Sequence, residues 1–505
     1  MKRSSWFNLI IVFLLTIAAG LVFVTSILTT IYYDMHEDVD FPHYTKENYV
    51  ALGVSVAIFL LVFFIAYWKK VFHSDRTCII VGLLFCAAYC LTLIFAIRPR
   101  PVDDAMLLDR VIRQFMGGDY SSLTQKGGYL YIWPFQLGYV LFGQTMTRIF
   151  GAGNYIAWDI VQMFSILITV YLLYRITWEL FGNRVICGIM AIMSMGMLFF
   201  YNFVVFVYGD ILSMAPQTLA LFFILLYIKR GDWWYVLLSA PFIAIAVLLK
   251  TNCEIALIAM VMGIFFSPAD GDKAKRLVKK LVLSAILVAT VFAAKYGVNR
   301  YYCNLAGIDE IPSGSPTVSH IVMGISESEL EDGWYNAYNY NVFGANGYDT
   351  EATKVAAMKD LKERLDLFIH HPRFTAKYFI RKFLTQWADP VCISTHVLDT
   401  VSRHVENQPA LCDYIVFGNG RIGLSWIMNV YMTVCYLGVL IYLLGSLRNG
   451  GVSKAELLIL VFIFGGIMFH EFWEGSSRYA MRYYVYWIPF AAYGIEALIG
   501  KLARH

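Results

Sequence analysis

The feature that most constrains this chain is a series of apolar runs, each long enough to cross a bilayer and each parted from the next by a polar connection. A hydrocarbon core of about 30 Å is crossed by roughly 20 helical residues, and in lipid only helices and closed barrels satisfy their own backbone groups. Runs beginning near Phe7, Val50, Cys78, Tyr155, Val185, Ile211, Trp233, Cys253, Leu281, Ile422, Ala455 and Tyr479 predict about twelve such helices. A composition of 59% hydrophobic and 15% charged residues over 505 positions excludes an ordinary water-soluble globule. The expected fold class is an all-α polytopic membrane protein.

Topology follows from the basic residues. Lys2 and Arg3, Lys69, Lys70 and Arg76, Arg175 and Arg184, Lys229 and Arg230, the Lys273 to Lys280 cluster, Arg448 and Lys454, and Lys501 with Arg504 fall in alternate connections. Short connections rich in Lys and Arg stay cytoplasmic, which puts both termini there. The small net charge of +4 belongs to those connections and gives no sign of a nucleic-acid partner. The run from Phe7 to Tyr33 exceeds the apolar region of a signal peptide and reads as a retained first helix.

The first outer connection, Asp34 to Glu47, is acidic, and two later ones are too long to be turns. These divide the chain into N-terminal transmembrane helices (1–97), a loop with an acidic pair and interfacial helices (98–154), central transmembrane helices (155–298), a small extracytoplasmic subdomain (299–421) and C-terminal transmembrane helices (422–505). In the first long loop Met106, Leu107, Val111, Ile112 and Phe115 form an apolar stripe against Asp109, Arg110, Arg113 and Gln114, the pattern of a helix lying in the interface. The aromatic stretch Tyr129 to Phe150 suits the same zone. In the second long loop, Ile311 to Thr317 reads as coil, followed by helices over Thr350 to His370 and Pro372 to Trp387. Nine cysteines show no metal-ligand spacing, and a Cys392 to Cys412 disulfide is left open.

The polar clusters that interrupt the spans all fall on the outer side of this topology, as convergent chemistry requires. Asp103 and Asp104 follow the third span. Two adjacent carboxylates in a poorly solvated pocket cannot both ionise freely, which suits proton abstraction, while capping of the next helix is their ordinary role. Asp210 is a helix cap or a second acid that orients an acceptor or a metal. Lys250, in the tight turn Lys250-Thr251-Asn252, opposes the positive-inside trend; it either snorkels or binds an anion. The last outer connection holds Glu474, Ser477, Arg478 and Tyr479, with Arg482 one turn later. A planar guanidinium there can clamp phosphate oxygens or serve only as an interfacial anchor.

Together these segments resemble the C-type membrane glycosyltransferases, in particular the bacterial protein O-mannosyltransferase-like family 39. The resemblance rests on Asp103-Asp104-Ala with Gly118-Asp119, Tyr129-Leu-Tyr131-Ile-Trp-Pro134-Phe-Gln136-Leu-Gly138, Tyr208-Gly209-Asp210, Leu249-Lys250-Thr251-Asn252 and Glu474 to Tyr479, in that order. Gly333-Trp334-Tyr335-Asn336 and Trp387-Ala-Asp389-Pro390 are similar to loop segments of relatives. It implies the C-type fold in a bacterial cytoplasmic membrane, with the site on the extracytoplasmic face. It further implies inverting transfer of a hexose or pentose from a polyprenyl-phosphate donor to a glycan, lipid or protein acceptor. In that reading Asp103 or Asp104 is the base, Asp210 orients the acceptor or a metal, and Lys250, Arg478 and Arg482 bind the donor phosphate. Asn252, Tyr131, Gln136, Glu474 and Tyr479 give support. A Mg²⁺ or Mn²⁺ held by Asp103, Asp104 and Asp210 stays open. So do a polyprenyl-linked sugar transporter or flippase and a cell-wall glycan polymerase or ligase.

Overall fold

A computed structural model describes residues 6–267 and 272–503; Lys2, Arg3 and Arg504, used above for topology, lie outside the described residues. Helices occupy all twelve expected positions. Among the described residues, eight are long and apolar enough to cross a membrane, or nine if the pair Arg184–Gly196 and Leu198–Val205, bent by 53°, is one span. The shortfall from twelve has a geometric cause. Trp234–Leu249 and Glu254–Phe266 have 16 and 13 residues, about 24 and 20 Å at 1.5 Å per residue, and the turn joining them is sunk into the bundle. Ser477–Leu502 is long enough but less apolar, with Tyr483, Tyr484, Tyr486, Trp487, Pro489 and Tyr493 along its middle.

We label the elements that place the site α1 (Trp6–Leu28), β1 (Thr29–Tyr33), β2 (Pro42–Lys46), α2 (Tyr49–Trp68), α3 (Asp75–Ala96), α4 (Asp103–Met116), α5 (Leu137–Phe150), α6 (Tyr155–Phe181), α7 (Arg184–Met193), α8 (Met214–Arg230), α9 (Trp234–Leu249), α10 (Glu254–Phe266), α11 (Lys273–Ala306), α12 (Thr317–Gly324), α13 (Thr350–His370), α14 (Pro372–Trp387), α15 (Asn419–Arg448), α16 (Lys454–Phe472) and α17 (Ser477–Leu502). The centre is α17, packed on α15, α7 and α16 and buried almost continuously from Ala480 to Ala492. Tyr483, Tyr484, Tyr486 and Trp487 fill the space between these helices. By contrast α2 presents Val50, Val54, Ile58, Leu61, Val62 and Ile65 outward, as a lipid-facing helix would.

Where α15 meets α17 the backbones touch through glycines. A Cβ on Gly494 would lie 1.8 Å from the Gly438 carbonyl oxygen, and one on Gly438 would lie 2.5 Å from that of Ala491. Apolar burial offers little drive between helices in lipid, so such close approach supplies the dispersion contact that holds the pair.

The helical fold carries one addition, a short two-stranded hairpin. The Thr-Thr-Ile-Tyr-Tyr segment after α1 is β-branched and aromatic, and it pairs antiparallel with Pro42–Lys46, from Thr29↔Lys46 to Tyr33↔Pro42. The acidic first connection therefore supplies the tip and the second strand of a hairpin. The amphipathic reading of α4 also shifts: its buried face is Ala105, Leu108, Val111, Ile112 and Phe115, whereas Met106 is exposed. Ile112 fits against Gly143 of α5, so α4 packs on protein along that face. Helices α13 and α14 stand where the sequence predicts them, and all nine cysteines, Cys392 and Cys412 included, are free and buried.

One buried cation ties α14 to the bundle. Lys382 donates to the carbonyls of Gly324, Glu471 (3.0 Å) and Trp473 (2.7 Å), and the Gly475 amide donates to the Gly333 carbonyl at 2.8 Å. The turn into α17 is thus fixed before its first residue.

Replacing Gly494 with Leu should cost about 1–3 kcal/mol or more through overpacking. Gly53, with nothing within 4 Å of a Cβ, should accept the same change unharmed. Thermal unfolding of the detergent-purified variants measures the contrast.

Candidate active site

The polar residues singled out above gather at one end of the bundle, and α17 supplies the first of them. Ser476 caps the helix by accepting from the Arg478 amide at 3.3 Å. Ser477 shares a hydrogen bond of 3.0 Å with the Tyr33 hydroxyl, which donates to Asp389 Oδ2 at 2.9 Å. Asp389 also accepts from the amides of Val391 (2.9 Å) and Ile393 (2.8 Å). Two distant segments, those of Tyr33 and Asp389, therefore fix the turn that carries Arg478.

Arg478 forms no ion pair among the described residues. Its Nε has no partner, and its guanidinium lies 5.5 Å from the Phe206 ring, 5.8 Å from Tyr208 and 5.3 Å from Tyr479. Cation–π contact stabilises it there, and its Nη2 donates only a long hydrogen bond, 3.5 Å, to the Tyr479 hydroxyl. Lys250 is committed differently. Its Nζ donates to Asp210 Oδ2 at 3.0 Å and sits 4.1 Å from the Tyr208 ring, with side-chain exposures of 11% for Lys250 and 4% for Asp210. Asp210 is thus a buried counter-ion, and its carboxylate does not cap its helix.

Arg482 is buried and fully engaged. It donates to Gln217 Oε1 (2.8 Å), Cys253 Sγ (2.9 Å), Ser213 Oγ (2.8 Å) and the Asp210 carbonyl (3.3 Å). Glu474 accepts from the Tyr479 hydroxyl at 2.9 Å, and the solvent withheld by burial raises its carboxyl, with Arg478 opposing.

The acidic pair opens α4. Val102 occupies the cap position and no side-chain capping bond is made, so neither Asp103 nor Asp104 serves as the expected cap. Both are exposed, and Asp103 adopts φ +50°, a left-handed conformation that costs free energy in any residue bearing a Cβ. Crowding by protein raises the Asp103 carboxyl; Arg478 opposes this, and Asp104 and Asp38 add to it. Tyr129 faces both Asp104 and Gln136, and Gln136 donates to the Tyr208 hydroxyl at 3.0 Å. That chain of contacts runs through Tyr129; Tyr131 is half-buried on the same short helix. Asn252 is half-buried in the turn after Lys250.

The structure also brings in groups that no sequence pattern marked. Asp40, half-buried at the hairpin tip, faces Arg478 and Asp103, and burial pushes its carboxyl up to about 6, with Arg478 opposing and Asp103 adding. Tyr33 and Asp389 act behind Ser477. Asp389 lay in a segment read only as a family-like loop; Tyr33 and Asp40 carried no local signal. The Mg²⁺ or Mn²⁺ possibility does not fit the donors. Among the described residues no three His, Cys, Asp or Glu side chains converge as a metal site, and Asp210 faces Lys250.

By its fold this is a polytopic helical membrane protein with a polar site at one end of the bundle. Residues 137–295 match the family model described as dolichyl-phosphate-mannose-protein mannosyltransferase, which bears out the resemblance to the protein O-mannosyltransferase-like glycosyltransferases. The matched stretch contains Tyr208, Asp210, Lys250 and Asn252. No curated protein matches the chain. Solved structures that match include ArnT from Cupriavidus metallidurans in the apo state, at 12% identity and TM-score 0.31 over 84% of this chain and 79% of that one. ArnT bound to undecaprenyl phosphate matches at 13% identity and TM-score 0.30 over 87% and 80%. So distant a likeness assigns nothing to these residues.

Removing the lysine by Lys250→Ala leaves Asp210 buried and unpaired, and should destabilise the protein by about 3–5 kcal/mol. The double variant Lys250→Ala with Asp210→Asn should recover part of that loss, read by thermal unfolding in detergent.

Proposed function

We propose that the protein is an inverting glycosyltransferase that moves a sugar from a polyprenyl-phosphate donor to an acceptor hydroxyl at the extracytoplasmic face of a bacterial cytoplasmic membrane. The observation that carries this reading is the opposition of two exposed carboxylates, Asp103 and Asp104, to a guanidinium, Arg478, that has no carboxylate partner. The family match over residues 137–295 supports the reaction class, and the alternation of basic connections supports the side of the membrane.

Asp103, or Asp104 in its place, takes the proton of the acceptor hydroxyl. The freed oxygen attacks the anomeric carbon, and the bond from that carbon to the phosphate oxygen breaks on the opposite face, which inverts the configuration. A lipid phosphate departs as an anion and needs fixed positive charge more than a proton donor. Arg478 supplies that charge, with Lys250 behind it. Asp210 holds Lys250, and Arg482 braces the Asp210 segment, so Arg482 acts from behind the phosphate site. Tyr479 and Glu474 hold the rim, and Gln136 fixes Tyr208 beneath Arg478. A cavity of about 320 Å³ lies beside this segment, with Phe135, Leu137, Val247 and Leu248 on its apolar side and Lys295 and Asn299 on its polar side. The subdomain, residues 299–421, contacts the acceptor.

Purified protein supplied with radiolabelled polyprenyl-phosphate monosaccharides and membrane glycan acceptors should release and transfer the sugar. Asp103→Asn with Asp104→Asn should abolish transfer and spare donor binding. Arg478→Lys keeps charge but loses the planar fork, and should lower kcat by roughly 100-fold. Tight donor binding without turnover, for every acceptor offered, would instead identify a carrier or flippase.

A further inference from the structure

Helix α13 carries apolar residues on two opposite faces. One face is buried, with Thr353, Ala357 and Phe368 turned into the packing against α12 and α14. The other carries Val355, Met358, Leu365 and Ile369, which follow the helical repeat and stand 73%, 51%, 47% and 74% exposed. Large aliphatic side chains in one line along a helix form a contiguous patch, and such a patch marks a face that something covers.

Both ends of the helix are tied to segments at the membrane surface. At the C-terminal end the Phe368 ring lies 5.3 Å from Phe379 of α14, and Phe379 lies 5.8 Å from Phe472, the last residue of the span α16. Met468, Phe472 and Ile380 are exposed around that contact, so the surface that the span turns outward continues onto α14 and leads to the end of α13. At the N-terminal end the Thr350 hydroxyl donates to the Gly314 carbonyl at 2.8 Å, and the Ser315 amide donates to the Ile132 carbonyl at 3.0 Å. Ile132 belongs to the aromatic stretch that precedes α5, whose composition suits the headgroup zone. A helix pinned at two interfacial points runs along the membrane plane. It is also held firmly. Asp349 caps it by accepting from the Ala352 amide at 2.8 Å, and Arg364 lies over the rings of Phe368 (5.1 Å), Tyr378 (5.6 Å) and Phe374 (5.8 Å).

The charges suit the same neighbour. Lys354 pairs with Glu351 at 3.6 Å and Lys359 with Glu363 at 3.8 Å, whereas Lys362, exposed within the apolar stripe, forms no ion pair among the described residues. Arg373 and Lys377 are exposed in the first turns of α14, at the end where Ile369 stands. Long basic side chains beside an apolar stripe keep their stems in the apolar layer and lift their charge to lipid phosphates.

We propose that α13 docks on the bilayer surface at the site end of the bundle, with Val355, Met358, Leu365 and Ile369 seated among the lipids and Lys362 reaching their headgroups. The occupant of this face is the membrane that the spans already cross, because the stripe continues the surface that α16 turns outward. Docking holds residues 299–421 down beside the bilayer. It does not depend on the sugar-transfer reading.

The test uses the full-length protein in phosphatidylcholine–phosphatidylglycerol vesicles, with an environment-sensitive nitrobenzoxadiazole label on Met358→Cys, Ile369→Cys or Glu363→Cys. The nine native cysteines are buried, so the label goes to the introduced thiol. Quenching by a phosphatidylcholine that carries a doxyl group near its headgroup should be about threefold stronger at positions 358 and 369 than at 363, which lies off the stripe. Iodide, present on both sides of the vesicle, should quench in the reverse order. Adding Leu365→Asp and Ile369→Asp to Met358→Cys should reduce the doxyl quenching at 358. Labels at 358 and 369 that iodide reaches and doxyl lipid does not would show the face standing in water and would overturn the proposal. Shielding from iodide without doxyl quenching would show the face covered by protein, a second copy of this chain where dilution in the vesicle removes the shielding, and would overturn it equally.

Discussion

Charge kept out of water at the end of a membrane bundle has to be compensated, and the way it is compensated organises this protein. Lys250 and Asp210 neutralise each other at 3.0 Å, and Arg482 spends its donors on Gln217, Cys253, Ser213 and the Asp210 carbonyl. Stranding either member of such a pair would cost several kcal/mol. Arg478 is the remaining cation. It rests on aromatic faces with Nε unpartnered, so its positive charge stays available to an arriving anion.

That availability depends on rigidity supplied from far along the chain. Lys382 and the Gly333–Gly475 backbone bond hold the turn ahead of α17, while Tyr33 and Asp389 hold its first residue. The close approach of α15 and α17 at Gly438 and Gly494 sets the helix beneath. A guanidinium left without a salt bridge would otherwise turn toward the nearest carboxylate. Here the neighbouring acids, Asp40, Asp103 and Glu474, are held near it without closing on it.

Much of this was legible in the residue order. The helices follow from apolar runs, because lipid leaves the backbone few other choices, and α13 and α14 were read as charged helical regions of the second long loop. Asp103, Asp210, Lys250 and Arg478 stood out because charge beside an apolar run is rare enough to need a reason. What escaped were side chains with ordinary local contexts. Tyr33 and Asp40 sit in a loop whose acidity suited its side of the membrane, and Tyr129 differs from Tyr131 only in which way a four-residue helix turns it. The hairpin escaped because five β-prone residues directly after a helix read as its continuation.

The sequence by itself determined that this chain lives in a membrane as a helical bundle and that its polar clusters are few and set at helix ends. Period and hydropathy are local properties, so they survive in one dimension. Only the tertiary structure decided which charges cancel. It paired Lys250 with Asp210, consumed Arg482 inside the protein, left Arg478 free of a salt bridge and carried Asp40 across more than four hundred residues of sequence to face it. Pairing of charge is a matter of distance and desolvation, and neither exists until the helices have packed.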